Sequence, residues 1–519
     1  MNNFTCIADL LAVGADDAIA IGAPGRTPAQ SPMTFAVLRS LAGEVVDSLN
    51  KNGIGRGDRV AIVLPNGPEM AVAFMTVAAG AVTAPLNPAY REDEFDFYLD
   101  DLKARALIVQ QGDDTPARTV ALRRGVAVLE LIPDPDGPAG GFTLQGPAAD
   151  ASDAANATPA INGGMATTED PALILHTSGT TSRPKMVPLS QGNICASARH
   201  IGASLELSPD DRCLNIMPLF HIHGLIAAVL SSLAAGAAVH CAPGFNALRY
   251  FQWMDDVAPT WYTAVPTMHQ AILSRAKRNA DSLAKSQLRL IRSSSSSLPP
   301  QVMAALEETF ACPVIESYGM TEAAHQMASN PLPPAERRPG CVGLAAGPEI
   351  GIMSEESSEM LAVGDVGEIV IRGPNVTDGY IENPSANATA FTDGWFRTGD
   401  QGTLDAGGYL TLTGRLKEII NRGGEKISPR EVDEILLDHP AVAQVVTFAM
   451  PHDKLGEDVA AAVVLAEGME ATERELRDFV SQRLADFKVP RKLLFLDEIP
   501  KGATGKLQRI GLAEKLGLG

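Results

Sequence analysis

The sequence lacks the features that mark several classes of protein. It has no C-x-x-C pair, which argues against a structural zinc or redox motif and suits a reducing compartment. It has no long block of Lys and Arg, and its net charge of −20 disfavours a nucleic-acid partner or an anionic membrane surface. Its first residues lack a basic flank followed by an apolar stretch, so we expect no signal peptide. The six cysteines are scattered, at Cys6, Cys195, Cys213, Cys241, Cys312 and Cys341.

Long apolar runs are also missing. The most apolar segment, residues 225–239, is about 15 residues long, which is too short to span a bilayer and predicts a buried helix. The last residues, Leu-Gly-Leu-Gly, do not form a peroxisomal address. We therefore expect a cytoplasmic protein without stable membrane insertion, and we expect it as a monomer or homodimer.

What the sequence does contain is an alternation of strand and helix patterns over 519 residues, 45% of them hydrophobic. The patterns predict a strand at 59–64, a helix at 68–79 and a strand at 82–86. This order is typical of an α/β fold with a mainly parallel sheet. Residues from about 135 to 170 are rich in Gly, Ala, Pro, Asp and Asn, and they predict a long surface connection.

Changes of pattern divide the chain into two predicted domains. Residues 1–413 should form a large N-terminal domain, with α/β subdomains at about 1–170 and 171–345 and a small β-rich subdomain at 346–413. Residues 414–519 should form a small α+β C-terminal domain. Within it we expect helices at 429–438 and 472–486 and strands at 442–449 and 458–465.

The most informative segment is L-H-T-S-G-T-T-S-R-P-K, residues 175–185. An apolar run that ends at Leu175 predicts a buried strand. The hydroxyl- and glycine-rich stretch after it can direct backbone N–H groups at an anion, and Lys185 adds a positive charge. Only Gly179 stands in the loop and Pro184 precedes the lysine, so this is not the phosphate loop of kinases and GTPases. A polar surface turn is the alternative.

Four further clusters follow. In E-S-Y-G-M-T-E, residues 316–322, the Tyr can stack on a purine, the Thr can contact a phosphate and the Glu can hold magnesium; the alternative is a strand end with an incidental acid. In G-W-F-R-T-G-D, residues 394–400, the Asp can bind a ribose diol, or the segment is a plain β-turn.

Residues 414–427 carry paired glycines that allow close approach to a ligand, or they form a charged linker and hairpin. Residues 500–506 present a lysine on a flexible loop, where a lysine is usually just solvated.

In this order and at these spacings, the five clusters resemble the superfamily of adenylate-forming enzymes: acyl-CoA synthetases, adenylation domains of peptide synthetases, and luciferases. The resemblance covers nearly the whole chain. It implies two α/β subdomains and a β-rich piece, followed by a small mobile C-terminal domain, with the active site between the two domains. It also implies that the protein uses ATP, Mg²⁺, coenzyme A and a small carboxylate.

The resemblance assigns roles to the residues that match. Those that would grip the β- and γ-phosphates are Thr177, Ser178, Gly179, Thr180, Thr181 and Lys185. Tyr318 would stack on adenine, Thr321 would contact the α-phosphate and Glu322 would hold Mg²⁺. Ser296 would line the nucleotide site, and Asp400 and Arg415 would bind the ribose. Lys417 would act as the hinge, and Gly423 and Gly424 would contact the pantetheine tunnel. Lys506 would be the lysine of the adenylation step.

The implied chemistry follows from charge. A carboxylate is a weak nucleophile that the phosphates of ATP repel, so both partners must be neutralised and held in line. Lys506 would bridge the carboxylate and the α-phosphate, pyrophosphate would leave and an acyl-adenylate would remain. The C-terminal domain would then rotate about Lys417, and a thiol would attack the mixed anhydride. No carrier sequence follows this domain, so free coenzyme A is the expected acceptor.

Three stretches favour a small acid with a second anionic end. They offer histidines and serine hydroxyls where enzymes for long or aromatic acids have apolar and glycine residues, and they lie at 218–224, 264–270 and 292–298. With T-E-A-A-H-Q-M-A-S-N-P-L-P at 321–333, these stretches resemble the oxalate–CoA ligase (oxalyl-CoA synthetase) group. Oxalate is therefore the expected substrate, and malonate or another short-chain or aromatic acid is the alternative.

The expected substrate pocket combines histidines with the serine run. His325 and a serine among Ser293, Ser294, Ser295 and Ser296 would hold the distal carboxylate, and His221 would lie near the carboxylate that reacts. In a strand, His221 and His223 would share one face, so a metal pair and ordinary core histidines are alternatives. The serine run could also be a low-complexity loop. A non-catalytic ATP-binding module would lack Lys506 or Glu322, and a luciferase-like oxidase would need an apolar pocket.

Overall fold

The computed structural model describes residues 4–25, 30–146, 160–177, 184–500 and 509–518. In this part of the chain, four sheets with flanking helices make up the fold, which is mixed α/β as the sequence predicts. The N-terminal sheet is parallel except at its two ends. From one edge to the other its strands are Phe142–Gln145, Ala127–Pro133, Ala106–Gln110, Arg59–Val63, Val82–Pro85, Pro171–Thr177 and Lys185–Ser190.

A second, central sheet is also mainly parallel. Its strands are buried on both faces because helices cover them, as the continuous apolar runs predict. Across the sheet they follow the order Leu344–Ala345, His325–Ser329, Val314–Met320, Leu290–Ser293, Trp261–Ala264, Arg212–Asn215, Ala238–Cys241, Ile19–Gly22 and Met33–Thr34.

Helices connect the parallel strands and cover both large sheets. Several begin with a side-chain cap; Thr34, for example, accepts the Val37 N–H at the start of Phe35–Lys51. The α-helices of the N-terminal part are Ile7–Leu11, Phe35–Lys51, Pro68–Ala78, Glu92–Asp101, Pro116–Arg124, Gln191–Ser204, Ser231–Ala234, Tyr250–Val257, Pro266–Ala276, Ala280–Ala284, Pro300–Phe310 and Pro384–Ala390. The segment His223–Leu230 is a π-helix, and Lys277–Asn279 and Thr321–Ala323 are 3-10 turns.

Two smaller sheets complete the described structure. The antiparallel one that follows the central sheet consists of Glu349–Met353, Gly367–Arg372, Phe391–Thr392, Trp395–Leu404 and Leu410–Arg415. The C-terminal one consists of Ile420–Arg422, Glu425–Ile427, Val442–His452, Gly456–Leu465 and Lys492–Phe495. Its accompanying helices and 3-10 turns are Leu416–Glu418, Pro429–Leu437, Glu473–Ser481, Asp486–Lys488 and Leu512–Lys515.

The C-terminal elements pack against the rest of the chain through polar contacts of helix Pro429–Leu437. Arg430 donates to the Leu412 carbonyl at 2.9 Å and to the Gly340 carbonyl at 3.3 Å. Nearby, Lys426 lies 3.2 Å from the Glu355 carboxylate. No helix in the described ranges combines the length and the apolarity needed to cross a bilayer.

Most of the predicted elements are confirmed, but two helices differ. The strands at 59–64 and 82–86 and the helix at 68–79 are present within one residue at each end. The buried helix expected over 225–239 is confirmed only as far as Ala234, because Gly236, with φ 72°, ends the helical segment and strand Ala238–Cys241 follows. The helix expected at 472–486 ends at Ser481, and a separate 3-10 turn follows at Asp486–Lys488.

Candidate active site

The candidate active site lies where parallel strands of the central sheet end. Trp261–Ala264, Leu290–Ser293 and Val314–Met320 are hydrogen-bonded neighbours that run in the same direction. Ligands of open α/β sheets bind outside the carboxyl ends of such strands. The serine run and the Tyr318 segment therefore come together there, although at least 20 residues separate them in the sequence.

A tight hairpin brings the next predicted residues to the same edge. Residues 314–329 form two antiparallel strands joined by the turn Thr321–Ala323. Ala324 and His325 have φ of 47° and 98°, a region that disfavours side chains. The second strand can pack this closely only because residue 319 is glycine: a Cβ there would lie 1.7 Å from the His325 carbonyl oxygen. The hairpin thus holds the predicted phosphate, magnesium and substrate residues next to each other.

Glu322, the predicted magnesium ligand, lies in a buried polar cluster. The Tyr380 hydroxyl donates to its Oε1 at 2.9 Å, and the Lys185 Nζ lies 4.3 Å from the centre of the Tyr380 ring. Burial raises the pKa of the Glu322 carboxyl, and the Tyr380 hydrogen bond and the Lys185 charge oppose that rise. A carboxylate oxygen of this kind is the donor that Mg²⁺ prefers, so the residues present fit the ion. Sequence reasoning missed Tyr380, whose contact with Glu322 spans 58 residues.

The predicted adenine and ribose residues also form one cluster. The Tyr318 hydroxyl donates to Asp400 Oδ2 at 2.5 Å, and the Arg415 Nε donates to Asp400 Oδ1 at 2.8 Å. Strand pairing sets this geometry, because Asp400 and Arg415 face each other across two neighbouring strands. Burial, together with the Asp400 charge, raises the pKa of Tyr318 well above its usual value, so Tyr318 remains a donor. Tyr318 thus has a hydrogen-bonding contact that a stacking role alone does not explain.

Part of the predicted phosphate grip can be placed. Thr177 ends strand Pro171–Thr177, and its hydroxyl donates to the Lys185 carbonyl at 3.5 Å. Lys185 begins the antiparallel partner strand, which directs it back towards Glu322. The other predicted residues of the grip and of the adenylation step, Ser178, Gly179, Thr180, Thr181 and Lys506, lie outside the described residues.

The serine run divides into residues with different environments. Ser293 is buried and its hydroxyl has no hydrogen-bond partner in the described structure. Ser294 is also buried, but its hydroxyl donates to the Ser317 carbonyl at 2.9 Å and so joins two strands. Ser295, with φ 72°, directs its hydroxyl to within 3.0 Å of the His223 Nδ1. Ser296 is exposed and lines a cavity between the central sheet and helix Pro429–Leu437.

The histidines do not lie in a strand, so His221 and His223 lack the shared strand face on which the alternative of a metal pair depended. The His221 carbonyl accepts the Leu225 N–H at 3.2 Å and so closes a helical turn, and the π-helix begins within this turn, at His223. His223 is fully buried, and its ring centre lies 4.9 Å from that of His325. No group of three or more His, Cys, Asp or Glu side chains in the described structure suits a metal ion.

Arg292 is a second residue that sequence reasoning missed. It lies in the buried strand Leu290–Ser293, is 0% exposed, and points towards the hairpin, where one guanidinium nitrogen lies 3.4 Å from the His325 Nδ1. A charged residue that ends an otherwise apolar strand pattern was the available signal.

The predicted hinge and tunnel residues lie at the start of the C-terminal elements. Lys417 is exposed in the 3-10 turn Leu416–Glu418. Gly423 and Gly424 form the turn of a hairpin with φ of 60° and 100°, which side chains rarely adopt. Gly424 has open space around it, so this turn is accessible to a ligand that approaches the backbone.

A mixed α/β fold with a buried carboxylate, a lysine and a Tyr–Asp–Arg cluster at the strand ends defines an enzyme of the adenylate-forming class. Residues 13–381 match the AMP-binding enzyme family, and residues 431–506 match the AMP-binding enzyme C-terminal domain. The chain belongs to the AMP-binding enzyme family, which confirms the superfamily that the motifs predict.

Named relatives lie within the same class. The chain is 45% identical to an oxalate–CoA ligase from Arabidopsis thaliana over 92% of each chain. It is 43% identical to an oxalate–CoA ligase from Saccharomyces cerevisiae over 88% of this chain and 87% of that protein. Among solved structures, ATP-bound MatB from Rhodopseudomonas palustris matches with a TM-score of 0.86 and 29% identity over 99% of each chain.

Proposed function

We propose that the protein is an ATP-dependent carboxylate–CoA ligase that converts oxalate, ATP and coenzyme A to oxalyl-CoA, AMP and diphosphate. The observation that carries the choice of acid is a cluster of polar side chains in which the buried His223 lies beside His325 and Ser295. Such donors suit an acid with charge at both ends and disfavour a long or aromatic acid, whose apolar part would lie against polar groups. The identity to the two oxalate–CoA ligases supports the same assignment.

In the adenylation step, the chain's own residues orient and neutralise the reactants. Glu322 would hold Mg²⁺, which when bound neutralises phosphate charge. Thr177, residues 178–181 and Lys185 would hold the β- and γ-phosphates, with Thr321 at the α-phosphate. Lys506 would bridge the α-phosphate and the attacking carboxylate as negative charge accumulates in the transition state.

The nucleoside would be held by the Tyr318 cluster. Asp400 can accept hydrogen bonds from the ribose hydroxyls because Tyr318 and Arg415 already fix its orientation from the other side. The Tyr318 ring would stack on adenine, and Ser296 would line the nucleotide site.

The carboxylate would lie between the histidines. The Nδ1 of His221 accepts the His223 N–H at 3.3 Å, so a neutral His221 ring carries its proton on Nε2 and can donate to the carboxylate that reacts. His325, with Ser293, Ser294 or Ser295, would hold the distal carboxylate.

The second half-reaction requires the thiol of coenzyme A to reach the adenylate. We place the boundary at 413/414, so that residues 414–519 rotate about Lys417, withdraw Lys506 and bring Gly423 and Gly424 to the pantetheine tunnel. Free coenzyme A would be the acceptor.

A pyrophosphate-release assay with ATP, Mg²⁺ and coenzyme A tests the proposal on single acids: oxalate, malonate, acetate and 4-coumarate. Oxalate should give the highest kcat/KM. A kcat/KM for malonate or 4-coumarate about tenfold above that of oxalate would make the assignment of the acid wrong. Absence of pyrophosphate release with every acid would contradict the reaction type.

A further inference from the structure

Arg292 carries a positive charge into the centre of the molecule. Its side chain is 0% exposed, and burial lowers the pKa of the guanidinium to about 9, so it remains charged at neutral pH. Its neighbours in the described structure are neutral: it donates to Gln326 Oε1 at 3.2 Å, to His325 Nδ1 at 3.4 Å and to Thr263 Oγ1 at 3.4 Å. Among the residues that the structure describes, the buried Nε of Arg292 has no hydrogen-bond partner.

The absence of a counter-charge sets Arg292 apart. No carboxylate of the described residues forms an ion pair with it, whereas Arg289, three residues earlier, pairs with Asp211 at 2.7 Å. A buried charge is strongly unfavourable unless an opposite charge compensates it. Among the described residues, the charge of Arg292 is therefore left uncompensated until an anion binds close to it.

Hydrogen bonds connect Arg292 to further polar side chains on two sides of its guanidinium. Because its guanidinium can only donate, the Nδ1 of His325 is an acceptor and the proton of a neutral His325 ring lies on Nε2. On the other side, Thr263 Oγ1 accepts from Arg292 at 3.4 Å and lies 2.6 Å from His223 Nε2, within hydrogen-bond distance. The other ring nitrogen, His223 Nδ1, lies 3.0 Å from Ser295 Oγ, so hydrogen bonds connect Arg292 through Thr263 and His223 to Ser295.

We propose that Arg292 is a positioning and specificity-determining residue that selects acids which keep a negative charge after adenylation. Formation of the acyl-adenylate consumes the charge of the carboxylate that reacts. A monocarboxylate then leaves the Arg292 charge uncompensated, whereas a dicarboxylate retains one carboxylate that can compensate this charge beside His325 and Ser295, the side chains that hydrogen bonds connect to Arg292. The inference rests on the proposed ligase function and gives a reason for the preference for oxalate.

The test compares oxalate with oxamate, which has the same size but a neutral amide at its second end. The ratio of the two kcat/KM values, from pyrophosphate release, should fall about 20-fold or more in Arg292→Met, mainly through a higher KM for oxalate. Arg292→Lys, which keeps the charge, should recover a large part of the ratio. Arg289→Met is the matched control, since it removes an arginine from the same segment and should leave the ratio unchanged.

Folding is checked by thermal melting and by ATP binding. If Arg292→Met does not fold, Arg292→Gln replaces it, because glutamine keeps a donor without the charge. If the unaltered protein prefers malonate, malonate and its monoamide replace oxalate and oxamate in the same comparison. A wrong assignment of oxalate can then be distinguished from a wrong role for Arg292. An unchanged ratio in Arg292→Met or Arg292→Gln, or an unaltered protein that prefers monocarboxylates, would overturn the role of Arg292.

Discussion

The Tyr318 hydroxyl donates a 2.5 Å hydrogen bond to the Asp400 carboxylate, across 82 residues of sequence. The resemblance assigns adenine to the Tyr318 ring and ribose to Asp400, and the structure adds a direct hydrogen bond between the two side chains. Since Arg415 holds the other oxygen of Asp400, the carboxylate has little freedom to rotate.

Tyr318→Phe separates the two functions of this tyrosine, because it keeps the ring and removes the hydroxyl. A hydrogen bond to a charged group contributes about 1.5–3 kcal/mol, so we expect the KM for ATP to rise about tenfold while the KM for the acid changes little. Tyr318→Leu, which also removes the ring, should raise the KM for ATP further. Steady-state kinetics with ATP varied at saturating acid gives the KM for ATP of the two variants. An unchanged KM for ATP in Tyr318→Phe would show that the hydrogen bond has no role in nucleotide binding.

Tyr380→Phe tests the support of the proposed magnesium ligand. The hydroxyl of Tyr380 stabilises the ionised form of Glu322, whose pKa burial raises, so its removal should weaken binding of the ion. We expect the Mg²⁺ concentration for half-maximal pyrophosphate exchange to rise about 5- to 10-fold. Tyr380→Leu serves as a comparison that also removes the ring beside Lys185. The same Mg²⁺ dependence in Tyr380→Phe and the unaltered protein would contradict the assignment of Glu322.

Lys506→Ala tests the separation of the two half-reactions. Loss of a charge that acts on the adenylation transition state should lower the rate of acyl-adenylate formation about 10²- to 10³-fold. Thioester formation from preformed acyl-adenylate and coenzyme A should remain largely intact, because Lys506 would be withdrawn at that stage. Single-turnover measurements of each step give the two rates, and equal losses in both would count against the rotation of the C-terminal domain.

Glu316 makes stability depend on pH. Its Oε1 accepts the Leu298 N–H at 2.9 Å, its buried Oε2 has no hydrogen-bond partner in the described part of the chain, and burial raises its pKa to about 7. Since the carboxyl ionises at lower pH in the unfolded chain, the folded state loses stability as pH rises from about 4.5 to about 7, by up to about 3 kcal/mol.

Glu316→Gln removes this ionisation. We therefore expect its Tm relative to the unaltered protein to increase by several degrees between pH 5 and pH 8, measured by differential scanning calorimetry. Glu349→Gln is the control, because Glu349 is exposed and pairs with Arg372, and it should give no such gain at high pH. A Tm difference for Glu316→Gln that does not depend on pH would show that Glu316 does not titrate in this range.

The sequence predicted those features that depend on local pattern. The strands and helix around 59–86 follow from periodicity, and the family follows from motifs whose residues are contiguous. Contacts over long sequence distances were not predicted: Tyr380 meets Glu322, and Arg292 meets His325, only because strand order and the hairpin at 314–329 bring them together.

The histidines show how local backbone structure determines which side chains meet at a site. Alternation in a strand would have placed His221 and His223 on one face, whereas the helical turn that Leu225 closes separates their environments. His223 contacts Thr263 and Ser295 and so belongs to the hydrogen-bond network of Arg292. A charged residue at the end of a buried strand would have been the signal for that network.

Competition between acids for the same enzyme tests most directly the claim that oxalate is the preferred substrate. Equal concentrations of oxalate, malonate and acetate are mixed with ATP, Mg²⁺ and coenzyme A, and the acyl-CoA products are quantified at early times by mass spectrometry. The account predicts that oxalyl-CoA exceeds each other product by about tenfold or more, which reflects the ratio of kcat/KM values. A mixture in which malonyl-CoA or acetyl-CoA predominates would contradict it.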